Sequence, residues 1–225
     1  MKVYWQQENN VGDKLTPYIL KNLFGITAKF SRKKGKLLGV GSILSHAKVG
    51  DTIWGSGLIS PHHLPQSADL NVLAVRGPLT RDILSKMGVK CNDCILGDPA
   101  LLLPQICKPI VEIRYEKGII PHYVDYDFVK KEYASDEKAG KVKIIDVRLP
   151  IEDFITSVLE CEEILSSSLH GLIIADAYGK GNMRVKFSNK LIGGDFKFID
   201  YEKSKGMVDT EGLLSELNSY IVKNG

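Results

Sequence analysis

Short apolar runs alternate with amphipathic stretches from one end of the chain to the other. In the first half, Val3–Trp5, Leu37–Val40, Thr52–Trp54 and Val72–Val75 read as strands, while Lys14–Phe24 and Pro78–Met87 carry helical spacing. Pro78 at the start of the second helix and Gly88 just past its end are the usual punctuation. In the second half, Gly118–Tyr123, Val142–Asp146, Glu163–Leu165 and Arg184–Phe187 read as strands, with helices over Val124–Tyr133, Ile151–Cys161 and Leu169–Tyr178. Asp209–Val222 sets Leu213, Leu214, Leu217, Tyr220 and Ile221 along one side behind an Asp209 or Thr210 cap, which predicts a closing helix. The Lys-rich piece Asp136–Lys143 reads as a solvated loop. Alternation of this kind predicts an α/β fold of β-α-β units, not a sandwich. The break at Gly97-Asp98-Pro99-Ala100 and the following Leu101–Pro104 put a boundary at 104–112, giving lobes of 1–108 and 109–225.

Composition narrows the class. A chain of 225 residues with 44% hydrophobic and 25% charged side chains can bury a core, which excludes disorder, collagen and disulfide scaffolds. The net charge of +3 gives no nucleic-acid footprint, so no nucleic-acid partner is expected. The charge is uneven: residues 1–104 hold 13 basic and 7 acidic side chains, which makes the front half the better host for an anion. Met1–Glu8 lacks the apolar core of a secretory signal, and no run nears the roughly 18 apolar residues of a membrane span. A cytoplasmic protein is the expectation. Cys91-Asn92-Asp93-Cys94 has C-x-x-C spacing but no second close pair, so inert thiols are expected in place of a metal or redox site.

Four places carry candidate chemistry. Ser166-Ser167-Ser168-Leu169-His170-Gly171 stands where a strand ends and a helix begins. Ligands of open α/β sheets bind at the carboxyl ends of strands, and a helix N-terminus presents unpaired N–H groups to an anion. Three hydroxyls and an imidazole there make a receptor for phosphate or carboxylate; a serine cap beside an exposed histidine is the plainer alternative. Asn9-Asn10-Val11-Gly12-Asp13 follows the first strand, where Asp13 is either a ligand group or a helix cap. Gly39-Val40-Gly41-Ser42 is a glycine turn that lets backbone N–H groups approach an anion. Val75-Arg76-Gly77-Pro78-Leu79-Thr80-Arg81 sets two guanidinium groups at a helix start, for a bidentate anion or for an ion pair. His122 and Asp98 also end strands, as ligands or as turn caps.

Taken together these motifs resemble the polysaccharide pyruvyl transferase family. The resemblance rests on N-x-G-D at Asn10–Asp13, the glycine turn at Gly39–Ser42, V-R-G-P-L-T-R at Val75–Arg81 and G-D-P-A-L-L-L-P at Gly97–Pro104. It continues through P-H-Y-V-D at Pro121–Asp125, S-S-L-H-G-L-I-I-A-D-A-Y-G at Ser167–Gly179 and F-x-x-x-D-Y at Phe196–Tyr201. Single motifs are weak, but the ordered set is specific.

The resemblance implies two facing Rossmann-like lobes, similar to the B-type glycosyltransferases, with the acceptor on the N-terminal side. It implies transfer of pyruvate from phosphoenolpyruvate to a glycan or lipid-linked oligosaccharide, forming a cyclic ketal without a cofactor or metal. In that scheme His170 is the general acid and Asp13 the base. Arg76, Ser167 and Ser168 hold the donor's anionic groups, and Asn10, Gly41, Ser42 and His122 complete the binding surface. Some branches of the family carry arginine where this chain has Ser168, so Arg148 or Lys186 is expected to supply the missing charge. The cluster Arg32-Lys33-Lys34-Gly35-Lys36 reads either as a solvated loop or as a peripheral contact with the inner membrane face. A nucleotide-sugar glycosyltransferase and a non-catalytic anion- or nucleotide-binding module are the competing readings.

Overall fold

A computed structural model describes residues 1–190 and 193–224. It is an α/β structure with two parallel sheets, one of six strands and one of four, interleaved with helices as Rossmann-like lobes. The chain divides into two compact units: 1–7, 15–99 and 193–225 form the first, and 8–14 with 100–192 form the second.

The first unit contains β1 (Lys2–Tyr4), β2 (Lys29–Phe30), β3 (Leu37–Leu38), β4 (Thr52–Trp54), β5 (Asn71–Val75) and β6 (Ile95–Leu96), ordered β2-β1-β3-β4-β5-β6. Its core gathers Tyr4, Leu38, Leu44, Ile53, Leu58, Val75, Leu84 and Leu96, the continuous apolar runs expected of parallel strands covered on both faces. Helix α1 (Val11–Phe24) begins in the second unit and continues in the first, and α2 (Pro78–Lys86) opens on Pro78 as expected. The second unit contains β7 (Tyr115–Ile120), β8 (Val142–Ile144), β9 (Cys161–Ser166) and β10 (Gly181–Arg184), ordered β10-β9-β7-β8. Between these run α3 (Tyr126–Glu132), α4 (Ala134–Lys138), α5 (Ile151–Leu159) and α6 (Leu169–Ala177). Helix α5 buries Ile151, Phe154, Ile155 and Val158, a single stripe, whereas α6 is apolar nearly all round and buries Leu169 and Gly171–Ala175.

The C-terminal segment departs from the lobe boundaries read from the sequence. Helices α7 (Phe196–Ser204) and α8 (Thr210–Asn224) belong to the first unit, and the main crossover falls at Pro99/Ala100 instead of 104–112. Specific bonds tie them there. Trp54 Nε1 donates to the Leu213 carbonyl at 2.8 Å, and the Asp209 amide donates to the Leu96 carbonyl at 3.3 Å. Asp209 also accepts from the Gly212 amide at 2.8 Å, the cap expected for the last helix.

The basic cluster is smaller than its sequence implies. Lys36 is buried and its ammonium pairs with Oδ2 of buried Asp51, the oxygen that also accepts from the Lys48 amide at 2.7 Å. Only Arg32, Lys33 and Lys34 remain exposed there. No helix among the described residues is long and apolar enough to cross a membrane.

Candidate active site

Each sheet has a point where the chain reverses its direction of strand addition, and the loops leaving the two strands there diverge to form a crevice. In the first sheet this lies between β1 and β3; in the second, between β7 and β9. The candidate residues sort onto these two places. Gly41, Ser42 and Arg76 lie in the first unit, and Asn10, Asp13, His122, Ser167, Ser168 and His170 in the second.

In the first unit the candidates form an internal network. Gly41, at φ +114°, accepts through its carbonyl from Ser56 Oγ at 2.9 Å and the Gly57 amide at 3.0 Å. Arg76 is completely buried. Its Nη1 donates to Ser42 Oγ at 2.6 Å, its Nη2 to the Leu58 carbonyl at 2.7 Å, and its Nε and Nη2 to Asp200 at 3.1 and 2.9 Å. Asp200 also accepts from the Thr80 amide at 2.9 Å and from Thr80 Oγ1 at 2.7 Å. Of the two readings of this arginine, bidentate anion or ion pair, the described residues show the second, a buried pair in which the chain supplies its own carboxylate to Arg76. That partner stands 124 residues away, in the F-x-x-x-D-Y motif, where local reading of V-R-G-P cannot find it.

In the second unit the loops at the carboxyl ends of β7, β8 and β9 are tied to one another and to the first turn of α1. The Ser167 amide donates to the Ile120 carbonyl at 3.0 Å, and the His122 amide donates to Ser167 Oγ at 2.9 Å, which joins the β7 and β9 exits. Ser166 Oγ bridges the Ile120 and Ser168 carbonyls and receives the Ser168 amide at 3.0 Å. Gly171 is required here, because a Cβ would collide with Ser166 Oγ; its absence lets the first turn of α6 sit directly on the strand ends. Ser168 precedes α6 without using its hydroxyl as a cap. His122 Nδ1 faces the Val124 amide at 3.4 Å and so caps the short helix Tyr123–Asp125.

The first turn of α1 enters the same place. The Val11 amide donates to the Val147 carbonyl, beyond β8, at 2.6 Å, and Lys14 Nζ reaches the Arg148 carbonyl at 3.5 Å. Gly12 lies flat against the His170 imidazole, leaving no room for a Cβ. Beside it Asp13 pairs with Asn10: Asn10 Nδ2 donates to Asp13 Oδ2, and the Asp13 amide returns to Asn10 Oδ1 at 3.2 Å. Burial, and then the negative charge of Glu8, push the Asp13 carboxyl up to about 7, against smaller opposing effects of Asn10 and Lys14. A carboxyl raised this far exchanges a proton near neutral pH, and it follows in α1 directly on the glycine that packs against His170.

Several members of this site escape motif reading. Gly12 has no side chain, and Ser166, one of the three candidate hydroxyls, spends its Oγ inside the turn, so only packing reveals their part. Glu8 and Tyr123 flank Asn10 and His122; burial and a hydrogen bond to Glu8, with the charges of Glu8 and Asp13, hold the Tyr123 phenol above its ordinary range. Asp125 is buried, and its Oδ2 has no hydrogen-bond partner among the described residues. All four cysteines are free, and burial raises the Cys94 thiol to about 12, which leaves it little thiolate. No group of three metal-ligating side chains occurs among the described residues.

Comparison with known proteins decides the family. A model of the polysaccharide pyruvyl transferase family matches residues 62–182, more than half of the chain. The chain belongs to the polysaccharide pyruvyl transferase family. It is 31% identical over 210 residues to an uncharacterized protein of Acanthamoeba polyphaga mimivirus, covering 88% of this chain and 71% of that protein. It is 28% identical over 216 residues to the succinoglycan biosynthesis protein ExoV of Rhizobium meliloti, covering 91% of this chain and 64% of that one. No solved structure matches. The pyruvyl transferase match contains Arg76, His122 and Ser167–His170 but neither Asp13 nor Asp200. Those two carboxylates reach the family's core motifs only through the fold.

Proposed function

We propose that this chain transfers pyruvate from phosphoenolpyruvate to two hydroxyls of a sugar in a glycan or lipid-linked oligosaccharide, giving a cyclic ketal and inorganic phosphate. The observation that carries this reading is the packing of Gly12 on His170. It brings the first turn of α1, where the Asp13 carboxyl is raised to about 7, against an imidazole in the first turn of α6, in a chain of the pyruvyl transferase family.

The donor is an enol phosphate with carboxylate and phosphate groups. In the proposed chemistry the first-turn amides of α6, its dipole and the Ser168 hydroxyl receive one anionic group. Lys14 and Arg148 supply the charge that other branches place at Ser168. Arg148 is held by Asp146 through Nε at 2.8 Å and Nη2 at 2.7 Å and lies 4.8 Å from the Tyr126 ring centroid. His170 gives its proton to C3 of the enol while an acceptor hydroxyl adds to C2, and Asp13 takes the hydroxyl proton. The C2–O bond to phosphate then breaks, and the second hydroxyl adds at C2, losing its own proton. Arg76 holds the turn at Ser42, and with it Gly41, in place.

The decisive experiment measures phosphate release from phosphoenolpyruvate against a panel of nitrophenyl and lipid-linked sugars. Acceptor-dependent release supports the reading; turnover of nucleotide sugars instead identifies a glycosyltransferase, and neither identifies a binding module. The reaction is placed on the cytoplasmic side, where the donor is made, with Arg32, Lys33 and Lys34 as a weak peripheral contact. Absence of co-sedimentation with anionic vesicles at low salt removes that contact without touching the pyruvyl transfer.

A further inference from the structure

We infer that Tyr123 is the acceptor platform, a ring on the loop tied to the Ser167–His170 turn on which the apolar face of the acceptor's pyranose ring stacks. The inference rests on the pyruvyl-transfer reading for the identity of the acceptor but on separate observations for the surface. Three large apolar side chains stand exposed within six residues at the exit of β7: Tyr123 at 39%, Val124 at 37% and Phe128 at 56%. Isolated exposed apolar residues are ordinary; such a cluster at the lip of a polar site marks a surface for a ligand. Tyr123 is also the one of the three that is held. One side of its ring packs on the His122 imidazole, centroids 4.3 Å apart, and its hydroxyl is hydrogen-bonded to Glu8.

The position fixes the kind of ligand. The His122 amide donates to Ser167 Oγ at 2.9 Å and the Tyr123 ring packs on the His122 imidazole, so the ring stands on the loop that is tied to the Ser167–His170 turn, and the charges of Glu8 and Asp13 both act on its phenol. A pyranose has an apolar face of C–H groups and a polar rim of hydroxyls. Laid on Tyr123 it turns its C–H groups to the aromatic ring and its rim to Glu8 and Asp13, the acceptors that hydroxyl protons need. The negative charges of Glu8 and Asp13 disfavour an anionic ligand here, so the acceptor subsite is separate from the donor's place at the α6 N-terminus and lies in the second unit, not on the N-terminal side that the family resemblance implies. The tyrosine therefore contributes to acceptor recognition and not to the chemistry.

Two measurements test this on the whole chain. In steady-state kinetics with an accepted sugar, Tyr123→Ala raises the acceptor KM at least tenfold and leaves the KM for phosphoenolpyruvate within about twofold. Tyr123→Phe, which keeps the ring and loses the Glu8 bond, stays within about threefold for both. Met207→Ala, which removes an exposed apolar side chain of the first unit, controls for general loss of apolar surface and stays within twofold for both constants. An unchanged acceptor KM in Tyr123→Ala, or an equal rise in both constants, overturns the proposal. Binding of methyl hexopyranosides, read by saturation transfer from protein to the sugar C–H protons, stands independently of turnover. Signal in the parent chain that Tyr123→Ala abolishes supports the platform even if phosphoenolpyruvate is not the donor. No signal in the parent, or the same signal in the variant, overturns it.

Discussion

The His170 imidazole occupies the space that a Cβ on Gly12 would fill. This contact is the tightest constraint on the site, since it fixes the ring against the first turn of α1 and leaves no tolerance for a larger residue. Gly12→Ala improves intrinsic helix propensity by about 1 kcal/mol, against about 1–3 kcal/mol for forced displacement of the ring. Stability should therefore fall by about 0–2 kcal/mol, while a displaced catalytic group of this kind loses about 10²-fold in turnover. Thermal unfolding and kcat measured on one preparation check the split; a matched loss of both would make Gly12 a packing residue only.

Asp13 predicts a pH signature. Its carboxyl, raised from 3.8 to about 7, is protonated and unable to accept a proton below neutrality. Activity limited by this group rises with pH up to about 7 and levels off above it, and Asp13→Asn removes that limb while cutting turnover by about 10²–10⁴. The stability effect has the opposite slope, because the folded chain holds a proton that the unfolded chain releases. The contribution is complete below 3.8 and lost as pH climbs to about 7. Asp13→Asn, which mimics the neutral acid, should match the parent in urea stability at pH 4 and exceed it at pH 8.

The sequence pattern located the strands that carry the site, and most helices, because buried parallel strands and amphipathic helices differ in period. It started α1 at Lys14, whereas the helix starts at Val11. Gly12 and Pro17 both depress helix propensity, and Pro17 lacks the N–H that would bond the Asp13 carbonyl. Three residues of offset matter: they move Asp13 from a loop into a first turn. Asp136–Lys143, read as solvated loop, begins inside α4 and ends in β8, since short charged helices have no buried stripe to betray them. β2 and β6, two residues each, and α7, whose buried face includes Asp200, were likewise missed. The ligand motifs were visible as ordered short strings, but their partition was not. Arg76 and His170 look alike as motif residues, and only the distant partner Asp200 shows that one is enclosed and the other is partly open.

For His170 the expected role is direct. His170→Ala should leave the fold intact and reduce turnover by about 10²–10⁴, the range for loss of a general acid. His170→Gln retains volume against Gly12 and should be equally slow. Near-normal specific activity in either variant, with a lowered unfolding midpoint, would reassign the imidazole to packing.

The Arg76–Asp200 pair yields the last prediction, and it turns on stability, not donor affinity. Removing one partner leaves the other charged and buried, and Asp200 also satisfies the Thr80 amide and hydroxyl. Asp200→Ala should therefore cost about 3–5 kcal/mol, much of a typical domain's margin, and lower the urea midpoint accordingly. Arg76→Met combined with Asp200→Leu replaces the whole pair with apolar volume and should recover a good part of that loss, because two desolvated charges leave together. Fluorescence-monitored urea unfolding of the two single variants and the double variant supplies the comparison, since Trp54 is buried in the same unit. Phosphoenolpyruvate affinity of the folded double variant then separates the two roles. Retained binding makes Arg76 an internal brace for the Gly41–Ser42 turn, whereas a marked loss of donor affinity in a chain of restored stability would return it to the donor site.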